Sequence, residues 1–149
     1  MRRILLSLLV STSFLVVGCS TSQQVTLART NPGSITSVAQ VPQDGNSPEM
    51  DGHLVAALQM NGLATKSPLP AGTRTAPDVD AIVSYGDVWR WDLAMYLRSL
   101  SVRLYDAKNG DLLAIGEWKD STLHGFRDAK LTMEGLVTEM VTKVRAASK

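Results

Sequence analysis

The residues best suited to binding chemistry form a short aromatic segment in the second half of the chain. The stretch YGDVWRWDLAMYL, residues 85–97, contains four of the eight aromatic residues, two Trp among them. Arg90 separates Trp89 from Trp91, and Asp92 follows. Trp and Arg are favoured at interface hot spots, and residues two apart in an extended segment project from the same side. These four residues are therefore a candidate contact site for a protein partner or a sugar.

The same rings could instead belong to the core. Each Trp side chain buries a large area, and only seven aromatic residues follow position 18. We therefore expect at least one of Trp89 and Trp91 to pack on a sheet, with Trp118 available to stack against the cluster. Arg90 and Asp92 would then lie in solvent on the other side.

The ionisable residues elsewhere do not form a catalytic or metal-binding set. Of the two histidines, His53 has only Glu49 at helical spacing, and two ligands do not make a structural zinc site. Residues 78–80, Asp-Val-Asp, have the form of a motif that holds metal-bound nucleotide sugars, but Asp after a Pro also serves turns and caps. These two carboxylates and Asp92 belong to an alternative, a small-molecule or glycan-binding domain with weak hydrolase chemistry.

The segment DAKNGD, residues 106–111, has some features of a calcium-binding loop. Its Gly follows the wrong acceptors, however, and no Glu closes the loop downstream. Asn109-Gly110 is instead the strongest short indication of a hairpin turn. The chain also lacks a Gly-rich phosphate loop and a GxSxG motif. We therefore predict no catalytic residues, no metal site and no cofactor, and hence a protein that is not an enzyme.

The first 19 residues have the organisation of an export signal. Arg2 and Arg3 form a basic start, and the apolar run at 4–17 is too short to span a membrane as a helix but fits a secretory signal. The run ends in VVGC, residues 16–19, which resembles the bacterial lipobox, and Cys19 is the only cysteine. An ordinary signal peptide that happens to contain a Cys is the alternative.

The lipobox resemblance implies a membrane anchor. In lipoproteins of this type the Cys thiol takes a diacylglycerol, the signal is removed before the Cys, and the new amino group is acylated. Three acyl chains make such anchoring effectively permanent. Ser20 is not the Asp that retains enterobacterial lipoproteins in the inner membrane. The resemblance therefore implies a lipid anchor at Cys19 on the periplasmic face of the outer membrane of a Gram-negative bacterium.

Length and charge fit one exported domain. We divide the chain into a signal peptide at 1–18, the lipidated Cys with a short tether at 19–24, and a single periplasmic domain at 25–149. The chain has 15 basic and 14 acidic side chains, and loss of the two Arg in the signal leaves 13 against 14. A nucleic-acid partner would need a clustered basic surface, so none is expected. A single Cys excludes internal disulfides.

Apolar periodicity and turn residues predict six elements after the signal. Two regions rich in Pro, Gly, Ser and Asn, residues 31–48 and 66–80, are predicted to be loops. The predicted order β-α-β-β-β-α consists of a strand at 24–30, a helix from Pro48 to Asn61-Gly62, a strand at 81–85, two strands at 95–106 and 112–118 paired through the Asn109-Gly110 turn, and a helix at 131–147. The fold class is α+β, a two-layer sandwich in which a small, mainly antiparallel sheet carries two helices on one face.

Residues 78–118 resemble the central segment of small Gram-negative envelope lipoproteins that are classed as domains of unknown function. The shared pattern is a strand ending in Tyr, a Trp-x-Trp-Asp element and a hairpin of the form L-x-V-x-L-x-D-A-x-x-G-x-L-x-A-x-G. It is matched by Tyr85, Trp89, Trp91, Asp92, Leu100, Val102, Leu104, Asp106, Ala107, Gly110, Leu112, Ala114 and Gly116. Such domains are similar in architecture to α/β domains of lipoproteins that activate peptidoglycan synthases or build secretion pores. The resemblance brings no catalytic residues.

Together these observations favour a non-catalytic function in the cell envelope. The expected protein is a lipid-anchored periplasmic lipoprotein that acts as a binding or assembly module for another envelope protein or for cell-wall glycan. The alternatives are a small-molecule or glycan-binding domain and a purely structural envelope component. In each case, Trp89, Arg90, Trp91 and Asp92 are the candidate contact residues.

Overall fold

The computed structural model describes residues 21–29, 31–121, 123 and 125–149. In chain order the elements are β1 (Ser22–Leu27), β2 (Ser37–Gln40), α1 (Pro48–Met60), β3 (Ala64–Lys66), β4 (Ala81–Asp92), β5 (Ala94–Asp106), β6 (Leu112–Lys119) and α2 (Ala129–Ala147). Within these residues no helix has the length and apolar character needed to cross a membrane. The predictions for the signal peptide, the lipobox and Cys19 lie outside the described residues.

One mixed sheet contains all six strands, in the order β1-β6-β5-β4-β2-β3. The pairings β1–β6, β6–β5 and β5–β4 are antiparallel, whereas β2 runs parallel to both β3 and β4. The predicted antiparallel pairing of β5 with β6 is confirmed, and Gly110 adopts the positive φ of 75° that the intervening turn requires. The α+β class with two helices is also confirmed.

The observed element order differs from the predicted one because β2 lies within the predicted loop at 31–48, and β3 lies between the predicted first helix and the start of the predicted loop at 66–80. The observed order is β-β-α-β-β-β-β-α. These strands have four and three residues, too few for a periodic pattern, and hydrogen bonding to neighbouring strands overrides their weak local preference. The first strand lies earlier than expected: β1 spans Ser22–Leu27 rather than 24–30.

Both helices pack on the same face of the sheet and create the main core. Apolar positions of α1 and α2 meet buried side chains of the central strands in one cluster that includes Met50, Leu54, Val83, Val102, Met133, Leu136 and Met140. Gly116 of β6 allows this close packing, because a Cβ at that position would lie 3.0 Å from Cδ1 of Leu136. The second predicted helix is confirmed and begins two residues earlier, at Ala129.

The opposite face of the sheet is covered at one end by the loop that precedes β4. A smaller buried cluster forms there from Ala39, Val41, Ala76, Val79, Ile82 and Ala107. The sequence of β4 is apolar at each of residues 81–83 because both faces of the strand are buried at this point, one in each cluster.

Strand β5 contains a β-bulge at Arg98. Val88 pairs with Ser99 and Trp89 pairs with Leu97, so Arg98 is an extra residue without a partner on β4. The bulge places Leu97 and Leu100, three residues apart, in the same core cluster. The Arg98 guanidinium donates to the carbonyl oxygens of Asp120 and Ser121, both at 3.0 Å.

Candidate functional site

The aromatic segment 85–97 is not the junction before a hairpin, as the strand prediction implied, but the closed end of one. Strands β4 and β5 stay paired up to Asp92 and Ala94, with only Leu93 between them. We call residues 89–97, which lie beyond the bulge, the arm. The buried Tyr85, which precedes the arm, and residues 91–95 at the tip of the arm have very different environments.

A polar network around the buried Tyr85 joins β4 to the start of α1 just before the arm. Tyr85 is 1% exposed, and its hydroxyl donates to Asp51 Oδ1 at 2.8 Å. The Asp51 carboxylate also accepts from the Gln40 side chain, and Asn46 Nδ2 donates to the Tyr85 carbonyl. Burial, with the bond to Asp51 as the second cause, raises the pKa of Tyr85 far above its usual range. This Tyr remains a neutral donor and is structural.

Asp87 continues the network and joins α1 to the arm. Its carboxylate accepts from the backbone N–H and the hydroxyl of Ser47, the residue before α1. Ser47 is the N-cap residue of α1, but its side chain makes no bond within its own helix. Trp89 Nε1 donates to the same Asp87 carboxylate, and the Trp89 ring packs against the main core. The expectation that one of the two Trp residues packs on the sheet therefore holds for Trp89.

The tip of the arm, residues 91–95, projects beyond the helices and is exposed. Trp91 is 71% exposed, Met95 55% and Leu93 89%. Trp91 pairs with Met95 across the hairpin, and alternation along β4 puts both on the helix-facing side of the sheet, at a level where no helix residue covers them. Leu93 has a φ of 59°, in a region that disfavours residues with a Cβ.

Exposed large apolar side chains are concentrated at the arm end of the domain. Among the described residues these side chains are Met60, Val88, Trp91, Leu93, Met95, Leu123, Phe126 and Leu131, and all but Met60 lie on the arm, at its base or between β6 and the first turn of α2. Phe126 contacts the arm directly, with its ring 6.0 Å from that of Tyr96 in an edge-to-face arrangement. We call this set without Met60 the apolar end. Met60 lies at the last turn of α1, away from it.

The other two predicted contact residues face away from Trp91. Arg90 and Asp92 are exposed and, by alternation, lie on the opposite face of β4 from Trp91. Trp118 is buried beside Leu100 in the main core.

Sequence reasoning missed Leu93, Met95, Leu123, Phe126 and Leu131. An apolar residue in a tight turn, as at Leu93, was the one available indication.

Of the candidate carboxylates of the hydrolase alternative, Asp80 makes hydrogen bonds that hold the fold together. Asp80 Oδ2 accepts from the backbone N–H and hydroxyl groups of Thr36 and Ser37, at 2.7–3.0 Å. These bonds, that of the Thr36 hydroxyl first, lower the pKa of Asp80 to about 2. Asp80 thus clamps the start of β2 to the start of β4, while Asp78 is exposed. Among the described residues no group of His, Cys, Asp or Glu could hold a metal ion.

Two open cavities lie away from the arm tip. One, of about 380 Å³, is lined by the end of α2 and by Ile35 and Leu63. The other, of about 510 Å³, lies on the far face of the sheet beside Arg74, Ser84 and Tyr105. Neither is lined by any of the four predicted contact residues.

Comparison with known proteins gives the fold alone. No family model and no curated protein matches the chain. The PelC dodecamer from Paraburkholderia phytofirmans is similar in structure, with a TM-score of 0.54 and 13% sequence identity over 84% of this chain and 97% of that chain. A point variant of that protein gives a TM-score of 0.52 and 12% identity. A PDZ domain protein from Parabacteroides distasonis gives a TM-score of 0.49 and 11% identity.

Proposed function

We propose that this protein is a lipid-anchored, non-catalytic module of the Gram-negative cell envelope, held by Cys19 on the periplasmic face of the outer membrane. We further propose that its apolar end is the surface through which it engages another envelope component. The observation that carries this proposal is the concentration of exposed apolar side chains at one end of the domain. Exposed apolar side chains concentrated in one region are characteristic of interaction sites.

Backbone geometry supports the same reading. Among the described residues, the non-glycine residues with positive φ are Leu93 and Phe126, and both belong to the apolar end. A left-handed conformation costs an L-residue about 1–2 kcal/mol, and neither side chain repays this by burial. Unfavourable conformations that the core does not require are typical of functional positions.

The similarity to PelC is compatible with an assembly role, since that protein is a dodecamer. The similarity contributes no residues to the proposal, because only 13% of the aligned residues are identical.

Two measurements on the full chain in a Gram-negative host test the proposal. A fatty-acid analogue should label the wild type and Ser20→Ala but not Cys19→Ala; a Cys19→Ala variant that keeps the label refutes the anchor. A photo-crosslinking residue at position 91 should capture an envelope component, whereas the same residue at position 60, the exposed apolar position away from the arm, should capture far less. Equal capture at the two positions refutes the assignment of the surface.

A further inference from the structure

We infer that the apolar end is a membrane-contact surface and that its partner is the lipid bilayer holding the Cys19 anchor. This inference rests on the proposed function, because it requires the anchor. It names the partner of the same surface: acyl chains and the interfacial region of a lipid leaflet.

The position of β1 brings the anchor to the apolar end. Ser22, the first residue of β1, pairs with Lys119 of β6, Lys119 pairs with Ser99 of β5, and Ser99 pairs with Val88 of β4. The chain therefore enters the sheet at the level of the base of the arm. It enters from the direction in which the arm points.

The connection between anchor and sheet is short. Three residue steps separate Cys19 from Ser22, and a fully extended chain covers at most about 3.3–3.6 Å per residue, or about 11 Å in total. A domain held this closely cannot move its near end far from the lipid surface.

The arm extends as far as the tether can. Trp91 lies three residues beyond Val88 and Leu93 lies five beyond it, which at about 3.3 Å per strand residue corresponds to about 10 Å and 16 Å. The strand order places β1 two strands from β5 and three from β4, or about 10 Å and 14 Å at the usual strand spacing. When the lipid of Cys19 is inserted, Trp91, Leu93 and Met95 therefore lie at the depth of the leaflet surface or below it.

The side chains suit this location. Trp is enriched at membrane–water interfaces because its ring is apolar with one polar N–H, and Leu and Met supply purely apolar contact. Leu123, Phe126 and Leu131 extend the surface to the segment before α2 and its first turn. At the opposite end, Met60 is exposed without such neighbours and would face the aqueous side.

Tryptophan quenching in vesicles tests the inference. The mature, acylated full-length protein is reconstituted into phosphatidylethanolamine–phosphatidylglycerol vesicles, with and without brominated acyl chains. The brominated lipid should decrease the emission of the wild type, and this loss should be absent in Trp91→Phe, in which the buried or half-buried Trp89 and Trp118 are the remaining emitters. Leu93→Gly, which relieves the positive φ, should reduce the quenching of Trp91, whereas Met60→Ser should leave it unchanged.

The outcomes separate the inference from the proposed function. Protein that is not acylated or does not float with the vesicles refutes the anchor, and with it both claims. Acylated protein that floats with the vesicles, but is quenched no more in the wild type than in Trp91→Phe, refutes the membrane contact alone. If that protein instead forms crosslinks between copies through position 91, the surface binds protein and the inference is wrong.

Discussion

Tyr85 and Trp91 lie on the same face of the same strand, six residues apart, yet only one of them belongs to the fold. Tyr85 is 1% exposed and holds α1 through Asp51, whereas Trp91 is 71% exposed. The difference arises because β4 and β5 continue past the point at which the helices begin. The residues before this point stabilise the fold, and those after it are available for contact. Four experiments test this contrast.

The largest effect is expected at the buried residue. Tyr85→Ala removes a large core side chain and the hydroxyl that donates to Asp51, so the free energy of unfolding should fall by about 3–5 kcal/mol. Trp91→Ala should change it by less than about 0.5 kcal/mol. Urea unfolding followed by far-UV circular dichroism measures both. Similar losses for the two variants would mean that the arm tip is part of the cooperative core.

A smaller effect is expected at Asp87, where the two regions meet. Asp87→Ala removes the acceptor for Ser47 at the start of α1 and for the Trp89 indole, and loss of such a cap costs about 1–2 kcal/mol. The emission of Trp89 should also change as its N–H loses its partner. Asp78→Ala, at an exposed carboxylate in the loop before β4, is the control and should leave stability within about 0.5 kcal/mol of the wild type. An Asp87→Ala variant as stable as Asp78→Ala would show that the network does not hold the helix.

The stability of the packed part of the domain can also be tested by changing the pH, because this part includes the Asp80 clamp. Its pKa is lowered to about 2 by the bonds from Thr36 and Ser37, below about 3.9 for an unfolded Asp. The clamp therefore contributes stability above about pH 4, and this contribution is lost as the pH falls towards 2. Asp80→Asn should be less stable than the wild type at pH 6, and the difference in their free energies of unfolding should be smaller at pH 2.5.

The exposed neighbour Asp78 provides the control for that experiment. Asp78→Asn should keep the wild-type dependence of the urea midpoint on pH between 6 and 2.5. A gap between wild type and Asp80→Asn that stays constant over this range would rule out the clamp as a source of acid sensitivity.

The smallest effect is expected at the turn of the arm. Leu93→Gly removes an exposed side chain and relieves a positive φ, so stability should change by no more than about 1 kcal/mol, in the stabilising direction. Differential scanning calorimetry measures the shift in Tm. A clear loss of stability would show that the Leu93 side chain contributes to folding, which would weaken the argument that it is there for contact.

The sequence predicted the parts of this molecule that have long, local patterns. Both helices, the β5–β6 pairing and the Asn109-Gly110 turn were correct because apolar periodicity and Gly conformation act over neighbouring residues. Strands β2 and β3 were missed because three or four residues carry no period, and their pairing partners are distant in sequence. The end of β4 was placed too early, at Tyr85, because Gly86 and Asp87 interrupt the apolar run.

The candidate site was predicted in composition but not in arrangement. Trp89 and Trp91 were recognised together, and nothing local separates them. Their different burial depends on where α1 and α2 begin relative to the sheet, which is a property of the assembled domain. Leu123 and Phe126 could not be assigned to the same surface for the same reason: they join it through the fold, not through proximity in the chain.

The bulge at Arg98 has a consequence for insertions and deletions. Removing one residue from a strand ordinarily moves every later side chain to the other face, but here Arg98 is the unpaired residue, so its deletion would leave Trp89 opposite Leu97 and Val88 opposite Ser99. What a chain without Arg98 would lose is the guanidinium that holds the carbonyls of Asp120 and Ser121. Deletion of Arg98 would therefore leave the direction of the arm's side chains unchanged. Its guanidinium, however, ties the base of the arm to the segment that carries Leu123 and Phe126.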